Sequence, residues 1–192
     1  MSDGLTVGAD GRARCAWGAS TPDYLTYHDT EWGRAVHGEQ ALFERITLEA
    51  FQSGLSWLTI LRKRPGFRAA FAGFDAGRVA GFGEADVARL MTDQRIVRNQ
   101  AKIRAAITNA RAVLALRDRS PGGLDELLWS FAPAPARAPV GLGDVPVTTD
   151  AAKALAKELK RRGFVFVGPT TAYAAMQACG LVNDHLAGCH AR

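Results

Sequence analysis

Apolar residues recur with the period of an α-helix through most of this 192-residue chain, and this periodicity limits its fold most strongly. Between Glu39 and Ser53 the apolar face consists of Leu42, Phe43, Ile46 and Ala50. From Gln100 onward a second face is built from Ile103, Ala106, Ile107, Ala110, Val113 and Leu114. The pattern predicts an all-α fold.

Capping and stop residues divide the periodic stretches into about eight helices. The clearest are predicted over Glu39–Ser53, Ser56–Lys63, Glu84–Thr92, Gln100–Arg117, Leu124–Phe131, Asp150–Arg162 and Pro169–Gly180. Pro65 is expected to end the second of these, and Asp75 to cap a further one. Phe164–Val167 is interpreted as extended, but one short run cannot form a sheet.

The length suits a single domain. Residues 1–13 are rich in Gly and Asp and are expected to form a flexible N-terminal extension, with one domain over residues 14–192. No stretch approaches the roughly 18 apolar residues that a membrane span needs, and the N-terminus lacks the apolar core of a signal peptide. We therefore expect a cytoplasmic protein without membrane contact, and a monomer by default.

The net charge of +5 and a pI near 9.4 favour an anionic partner only weakly. Three cysteines, an odd number in a chain without a secretion signal, argue against a disulfide framework. Metal binding or a buried thiol is the better interpretation of these cysteines.

Two cysteines and two histidines near the chain ends form a candidate zinc site: Cys15, His28, His185 and Cys189. His185 and Cys189 are four residues apart, which places them on one face of a helix or turn. Such a set fills a tetrahedral zinc shell and leaves no position for a catalytic water. The alternative is four unrelated residues near the termini.

Glu49 falls beside Leu42 and Ile46 on the apolar stripe of its predicted helix, whereas Glu44 falls on the opposite, polar face. A carboxylate on a core-facing stripe is costly unless something pairs with it. One interpretation is that the Glu49 side chain reaches solvent or pairs with an arginine. The other is that its carboxylate lies in a pocket and binds a cationic or hydrogen-bond-donating ligand.

Aromatic residues crowd the first third of the chain: Trp17, Tyr24, Tyr27, Trp32 and Trp57. Aromatic walls beside a carboxylate suit a flat, polar and possibly cationic ligand. Core packing explains such residues equally well in most proteins.

The predicted helices Glu84–Thr92 and Gln100–Arg117 are joined by the short connection Asp93–Asn99. A hairpin of this kind can direct backbone N–H groups at a phosphate, and Arg98 and Lys102 would add charge on one side. A solvated basic helix end is the alternative.

Several strings then occur together and in order: Arg14–Trp17 (RCAW), Tyr27–Gly33 (YHDTEWG), Leu48-Glu49 with Gln52, Gly54–Trp57 (GLSW), Arg161–Gly168 (RRGFVFVG) and Met176–His185 (MQACGLVNDH). Over residues 13–190 the chain resembles the 3-methyladenine DNA glycosylase I family of helix-hairpin-helix repair enzymes. The connection Asp93–Asn99 departs from that pattern, since it lacks the glycine usual in such hairpins.

The resemblance implies a helix-hairpin-helix region at about residues 84–117 and one structural zinc ion on Cys15, His28, His185 and Cys189. It implies that Glu49 recognises the base and serves catalysis, and that Tyr27 and Trp57 wall the base, with Trp17, Tyr24 and Trp32 as neighbours. No redox or organic cofactor is implied. Gly54 and Leu55 are candidates to fill the gap left by an extruded nucleotide, and Arg98 and Lys102 to contact phosphate.

The activity expected from this resemblance is hydrolytic excision of N3-methylated adenine from alkylated double-stranded DNA, which leaves an abasic site. The main alternative is a zinc-stabilised helical DNA-binding module without catalysis. A zinc hydrolase would need an open metal position, which four protein ligands do not leave.

Overall fold

The computed structural model describes residues 4–192, which form nine α-helices and one short hairpin. The helices are α1 Pro22–Thr30, α2 Glu39–Gln52, α3 Trp57–Ala70, α4 Ala76–Ala80, α5 Glu84–Thr92, α6 Gln100–Arg117, α7 Gly123–Trp129, α8 Asp150–Arg161 and α9 Pro169–Ala178. The strands are β1 Leu5–Val7 and β2 Ala13–Cys15. The all-α expectation is confirmed, and no helix in this part of the chain has the length and apolarity for a membrane crossing.

The segment expected to form a flexible extension, residues 1–13, contains β1 and the start of β2, whereas residues 1–3 lie outside the described part. Strands β1 and β2 pair antiparallel, with Leu5 opposite Cys15. Leu5 packs with Cys15, Leu186 and Cys189 in a small second core. The local sequence does not indicate this packing, because the apolar residues that contact Leu5 lie mostly at the far end of the chain.

Helix α2 lies at the centre of the molecule, and nine of its residues are buried. Its Phe43 and Phe51 join Phe67, Phe71 and Phe74, and all five side chains are fully buried. Glu44 is also buried, although the helical period placed it on the polar face, because Arg68 of α3 forms an ion pair with it at 2.8 Å. A rigid central helix therefore carries Glu49.

The prediction that Pro65 ends the helix after Ser56 was wrong, because α3 continues through Pro65 to Ala70. The residues beyond the proline bury apolar surface, and the Phe67 ring lies 4.8 Å from that of Phe51. This packing outweighs the roughly 3 kcal/mol that an interior proline costs. Gly66 also lets α3 approach the α5–α6 connection, since a Cβ at position 66 would lie 2.5 Å from that of Arg95.

Phe164–Val167 forms no strand, and Phe166 has a φ of 58°. Its polar backbone groups bind a side chain instead of a neighbouring strand. Val165 N donates to Asn109 Oδ1 at 2.8 Å, and Asn109 Nδ2 donates to Val165 O at 3.0 Å. The positive φ of Phe166 interrupts the extended stretch, and the run forms no sheet, as the sequence predicted.

Helices α5 and α6 have the predicted bounds and pack together. In their connection, Asn99 Oδ1 accepts from Lys102 N and so caps α6. The Lys63 ammonium of α3 donates to Gln94 O at 2.7 Å. The connection is thus held from both sides without a glycine.

Candidate functional site

A cavity of about 290 Å³ opens among helices α1, α2, α3 and α9. All six side chains predicted to bind a base line it: Trp17, Tyr24, Tyr27, Trp32, Glu49 and Trp57. Gln52, Ala174 and Gln177 complete the wall. The last two come from α9, and neither the periodicity nor the composition of that helix indicated a role in a cavity.

Glu49 is 6% exposed and forms no side-chain hydrogen bond within residues 4–192. Its nearest cation in sequence is Arg45, one helical turn earlier, but Arg45 Nη2 donates to Glu31 Oε2 at 2.7 Å. Burial raises the pKa of Glu49 to about 8, and Arg45 opposes this only in part. The cavity therefore contains an acidic side chain that forms no ion pair or hydrogen bond with the described residues and is stabilised in its ionised form only in part by Arg45.

Tyr27 and Trp57 flank this carboxylate with aromatic faces. Their ring centroids are 5.4 Å apart, and Tyr27 is 2% exposed. Burial, and then the nearby Glu49, raise the pKa of Tyr27 well above its ordinary value, so the hydroxyl stays protonated. Trp57 Nε1 is buried without a hydrogen-bond partner in the described part of the chain.

Tyr24 fixes the position of Trp57, because the N–H of Leu58 donates to the Tyr24 hydroxyl at 3.0 Å. Trp17 packs edge-on against both Tyr24 and Trp32, with centroid distances of 5.6 and 5.0 Å. Rigid aromatic faces and a buried carboxylate suit a flat ligand that brings positive charge.

The four predicted metal ligands meet beside this cavity: the donor atoms of Cys15, His28, His185 and Cys189 all lie within 4.8 Å of one another. All four residues are buried. The four side chains bring the N-terminal hairpin and the C-terminal segment together, and the cluster could hold a metal ion.

Hydrogen bonds on the outer side fix which imidazole nitrogen faces the cluster. His28 Nδ1 donates to Asp29 Oδ1 at 2.7 Å, and His185 Nε2 donates to Trp32 O at 3.0 Å. A carboxylate or carbonyl can only accept, and burial lowers the pKa of both histidines, so each imidazole is neutral and its inner nitrogen carries no proton. These two lone pairs then face each other across 3.2 Å, an arrangement that a cation between them would stabilise.

The candidate DNA-contacting residues have different environments. Arg98 is exposed in the α5–α6 connection, Gly54 is exposed with a φ of 81°, and Leu55 is 42% exposed. The expectation for Lys102 needs correction, because its ammonium is buried and donates to Phe51 O at 2.9 Å and Ser53 O at 2.6 Å. It caps the C-terminal end of α2 and does not face solvent.

Comparisons with known proteins agree with this geometry. The family model described as methyladenine glycosylase matches residues 17–192. DNA-3-methyladenine glycosylase 1 of Escherichia coli is 48% identical over 179 residues, which are 92% of this chain and 95% of that protein.

Two solved structures have the same fold. A crystal structure of 3-methyladenine DNA glycosylase I superposes with a TM-score of 0.89 at 46% identity and covers 92% of this chain and 98% of its own. The Staphylococcus aureus enzyme, solved for the structural basis of 3-methyladenine recognition, has a TM-score of 0.88 at 36% identity, with 93% and 95% covered.

Proposed function

This chain belongs to the methyladenine glycosylase family, and we propose that it excises N3-methylated adenine from alkylated double-stranded DNA by hydrolysis. The observation that carries the proposal is the buried Glu49 side chain, which has no hydrogen-bond partner among residues 4–192 and lies in a cavity walled by Tyr27 and Trp57. The site thus offers flat aromatic contact and an acidic side chain whose ionised form a positively charged purine would stabilise.

Selectivity follows from the charge of the lesion. Methylation at N3 makes the base of the nucleotide cationic. Extrusion of a nucleotide from the duplex costs a few kcal/mol, and this cost is lowest for a damaged base. Tyr27 and Trp57 contact the extruded base, while Glu49 accepts hydrogen bonds from its amino group and stabilises its charge. Neutral adenine lacks the electrostatic part, so differential binding separates the two bases.

In the chemical step, water adds to C1′ and the C1′–N9 bond breaks. The bonding electron pair stays on the base, which leaves as neutral 3-methyladenine, and the water releases a proton. The products are the free base and an abasic site. The residues that line the cavity include no lysine, which supports hydrolysis without a covalent imine intermediate.

The metal proposed for the Cys15, His28, His185 and Cys189 cluster is zinc. Tetrahedral zinc with bonds of about 2.3 Å to sulfur and 2.05 Å to nitrogen puts nitrogen and sulfur about 3.5 Å apart. Cys189 Sγ lies 3.5 Å from His28 Nε2 and 3.6 Å from His185 Nδ1. Zinc here holds the chain ends together, since four ligands leave no position for substrate.

DNA binding is assigned to the surface around the cavity mouth and the α5–α6 connection. Arg98 supplies charge toward phosphate, and the exposed Gly54-Leu55 turn after α2 supplies a side chain to fill the gap left by the extruded nucleotide. We propose that the protein acts as a cytoplasmic monomer.

The experiment is incubation of the protein with N-methylated duplex DNA, followed by chromatography of the released bases and a strand-cleavage assay. The wild type should release 3-methyladenine without cutting the strand, and Glu49→Gln should lower the release at least about a hundredfold.

Glu44→Gln is the matched control, because it makes the same change on the same helix at a carboxylate that is paired with Arg68 outside the cavity. It should retain excision. Binding of DNA without release of any base would favour the DNA-binding module instead.

A further inference from the structure

Gln177 lies in the cavity wall and also belongs to a hydrogen-bonded group behind it. It is four residues after Tyr173 on α9, so both side chains share one face of the helix. Gln177 Nε2 donates to Asp184 Oδ2 at 2.8 Å, and the Tyr173 hydroxyl donates to the same oxygen at 2.5 Å. Asp184 immediately precedes His185 of the metal cluster.

This group fixes the orientation of the Gln177 amide. An ionised carboxylate only accepts hydrogen bonds, so the amide nitrogen must face Asp184. Burial, followed by Asp184, raises the pKa of Tyr173, and its hydroxyl therefore remains a donor. Gln177 Oε1 has no donor within residues 4–192, which leaves it as the amide acceptor available to an occupant of the cavity.

We propose that Gln177, oriented by Asp184, determines specificity by presenting a second acceptor, in addition to Glu49, to the exocyclic amino group of the base. The inference rests on the proposed function. A 6-amino purine donates to both acceptors, whereas a 6-oxo purine brings an acceptor to the same place.

The relevant competitor is N3-methylguanine. Its nucleotide is a cation like that of N3-methyladenine, so attraction to Glu49 does not separate the two lesions. Recognition of the 6-position does separate the two lesions. The 6-oxo oxygen of N3-methylguanine would face Gln177 Oε1, and two acceptors form no hydrogen bond and repel each other. Gln177 is the specificity-determining residue here, and Asp184 is a positioning residue.

The test measures single-turnover release of both bases from N-methylated duplex DNA, with the enzyme in excess. Gln177→Leu should slow release of 3-methyladenine about tenfold and leave that of 3-methylguanine unchanged or faster, since the repulsion is gone, so the rate ratio falls. Asp184→Asn keeps Gln177 but lets its amide rotate, and it should lower the ratio in the same direction. The rate ratio of the double variant should be only slightly lower than that of Gln177→Leu alone, because both changes act through the Gln177 amide.

Tyr173→Phe is the control, since it removes the other hydrogen bond to Asp184 Oδ2 and leaves the Gln177 contact in place. It should preserve the ratio. Gln177→Met replaces Gln177→Leu if the shorter side chain prevents folding. A purely structural role would slow release of both bases equally.

An unchanged ratio in Gln177→Leu or Gln177→Met, with 3-methyladenine still released by the wild type, overturns this inference and leaves the proposed function intact. A wild type that releases no 3-methyladenine overturns both.

Discussion

At the scale of single residues, the molecule keeps one buried carboxylate uncompensated and compensates the others around it. Glu44 is paired with Arg68, and Glu31 is paired with Arg45 and Arg64. Arg45 stabilises ionised Glu49 only in part, so positive charge brought by a ligand would stabilise it further. The unpaired carboxyl thus lowers the folding stability of the protein and favours binding of a cationic ligand, a relation common at binding sites.

This trade predicts a pH-dependent stability difference between the wild type and Glu49→Gln. Burial raises the pKa of Glu49 from 4.5 to about 8, so the folded state holds a proton that the unfolded state releases between these values. The wild type therefore loses stability as the pH rises from about 4.5 to 8. At pH 9 Glu49→Gln should be more stable by at least about 1.4 kcal/mol, the equivalent of one pKa unit.

Urea unfolding of both proteins at pH 5 and pH 9 measures this difference. The difference should be much smaller at pH 5, where the folded-state carboxyl is protonated and only the first part of the loss, about 0.8 kcal/mol by the same linkage, has occurred. A gap of the same size at both pH values would show that the carboxylate is not desolvated.

Sequence reasoning found most of the cavity residues and missed Gln177 for an identifiable reason. Glu49 stood out because a charge fell on an apolar stripe, and the aromatics stood out by their density in one third of the chain. Gln177 is one polar residue on a helix about 120 residues later, and only the packing of α9 on α2 brings it to the cavity.

At the scale of elements, Lys102 links α6 to α2, the helix that carries Glu49. Its ammonium donates to carbonyls at the C-terminal end of α2, where unpaired carbonyl groups favour a cation. Burial lowers the pKa of Lys102. Its position four residues after Arg98 indicated a surface role, because a sequence pattern does not show what lies opposite a helix.

Lys102→Met should therefore lower the free energy of unfolding by about 1–3 kcal/mol, since it leaves buried carbonyls without a donor. Thermal or urea unfolding measures this. Arg98→Met is the matched control, as Arg98 is exposed in the preceding connection, and it should change stability by less than about 0.5 kcal/mol. Equal destabilisation by the two changes would contradict the capping role.

Arg98→Met has its own expected effect on DNA binding. If Arg98 contacts a phosphate, its loss should weaken binding to any duplex sequence and reduce the slope of log K against log salt by about 1. Fluorescence anisotropy with an undamaged duplex at several salt concentrations measures the slope. An unchanged slope would show that Arg98 contacts no phosphate and would contradict a DNA-binding surface at the α5–α6 connection.

The elements themselves were largely predictable, because their bounds depend on local periodicity and caps. Helices α5 and α6 matched to the residue. The failures came where distant contacts decide the local structure. Core packing carries α3 through Pro65, and apolar residues near the C-terminus pack against Leu5 of the N-terminal hairpin.

At the scale of the whole molecule, the metal cluster and the cavity share parts. His185 donates to the backbone of Trp32, whose ring lies 4.7 Å from the His185 ring and lines the cavity. A metal ion held by the cluster would support the aromatic wall as well as the chain ends. Loss of the metal should affect base binding together with stability.

Cys189→Ser should lose the bound zinc, expose backbone amides of Leu5–Cys15 to hydrogen exchange, and weaken base binding. Metal analysis, hydrogen exchange and quenching of tryptophan fluorescence by 3-methyladenine measure the three effects. Cys179→Ala is the control, because Cys179 is a buried thiol outside the cluster and its loss should leave one zinc per chain. Full zinc content in Cys189→Ser would contradict the assigned ligand set.

The most direct test of the central claim is an NMR titration of the Glu49 side-chain carboxyl carbon, with and without a 3,9-dialkylated adenine that carries the positive charge of the lesion. The free protein should show a Glu49 pKa of about 8, and the bound cation should lower it by about 1–3. An ordinary value near 4.5 in the free protein, or no change when the cation binds, would contradict the account of Glu49 as an unpaired carboxylate that recognises a cationic base.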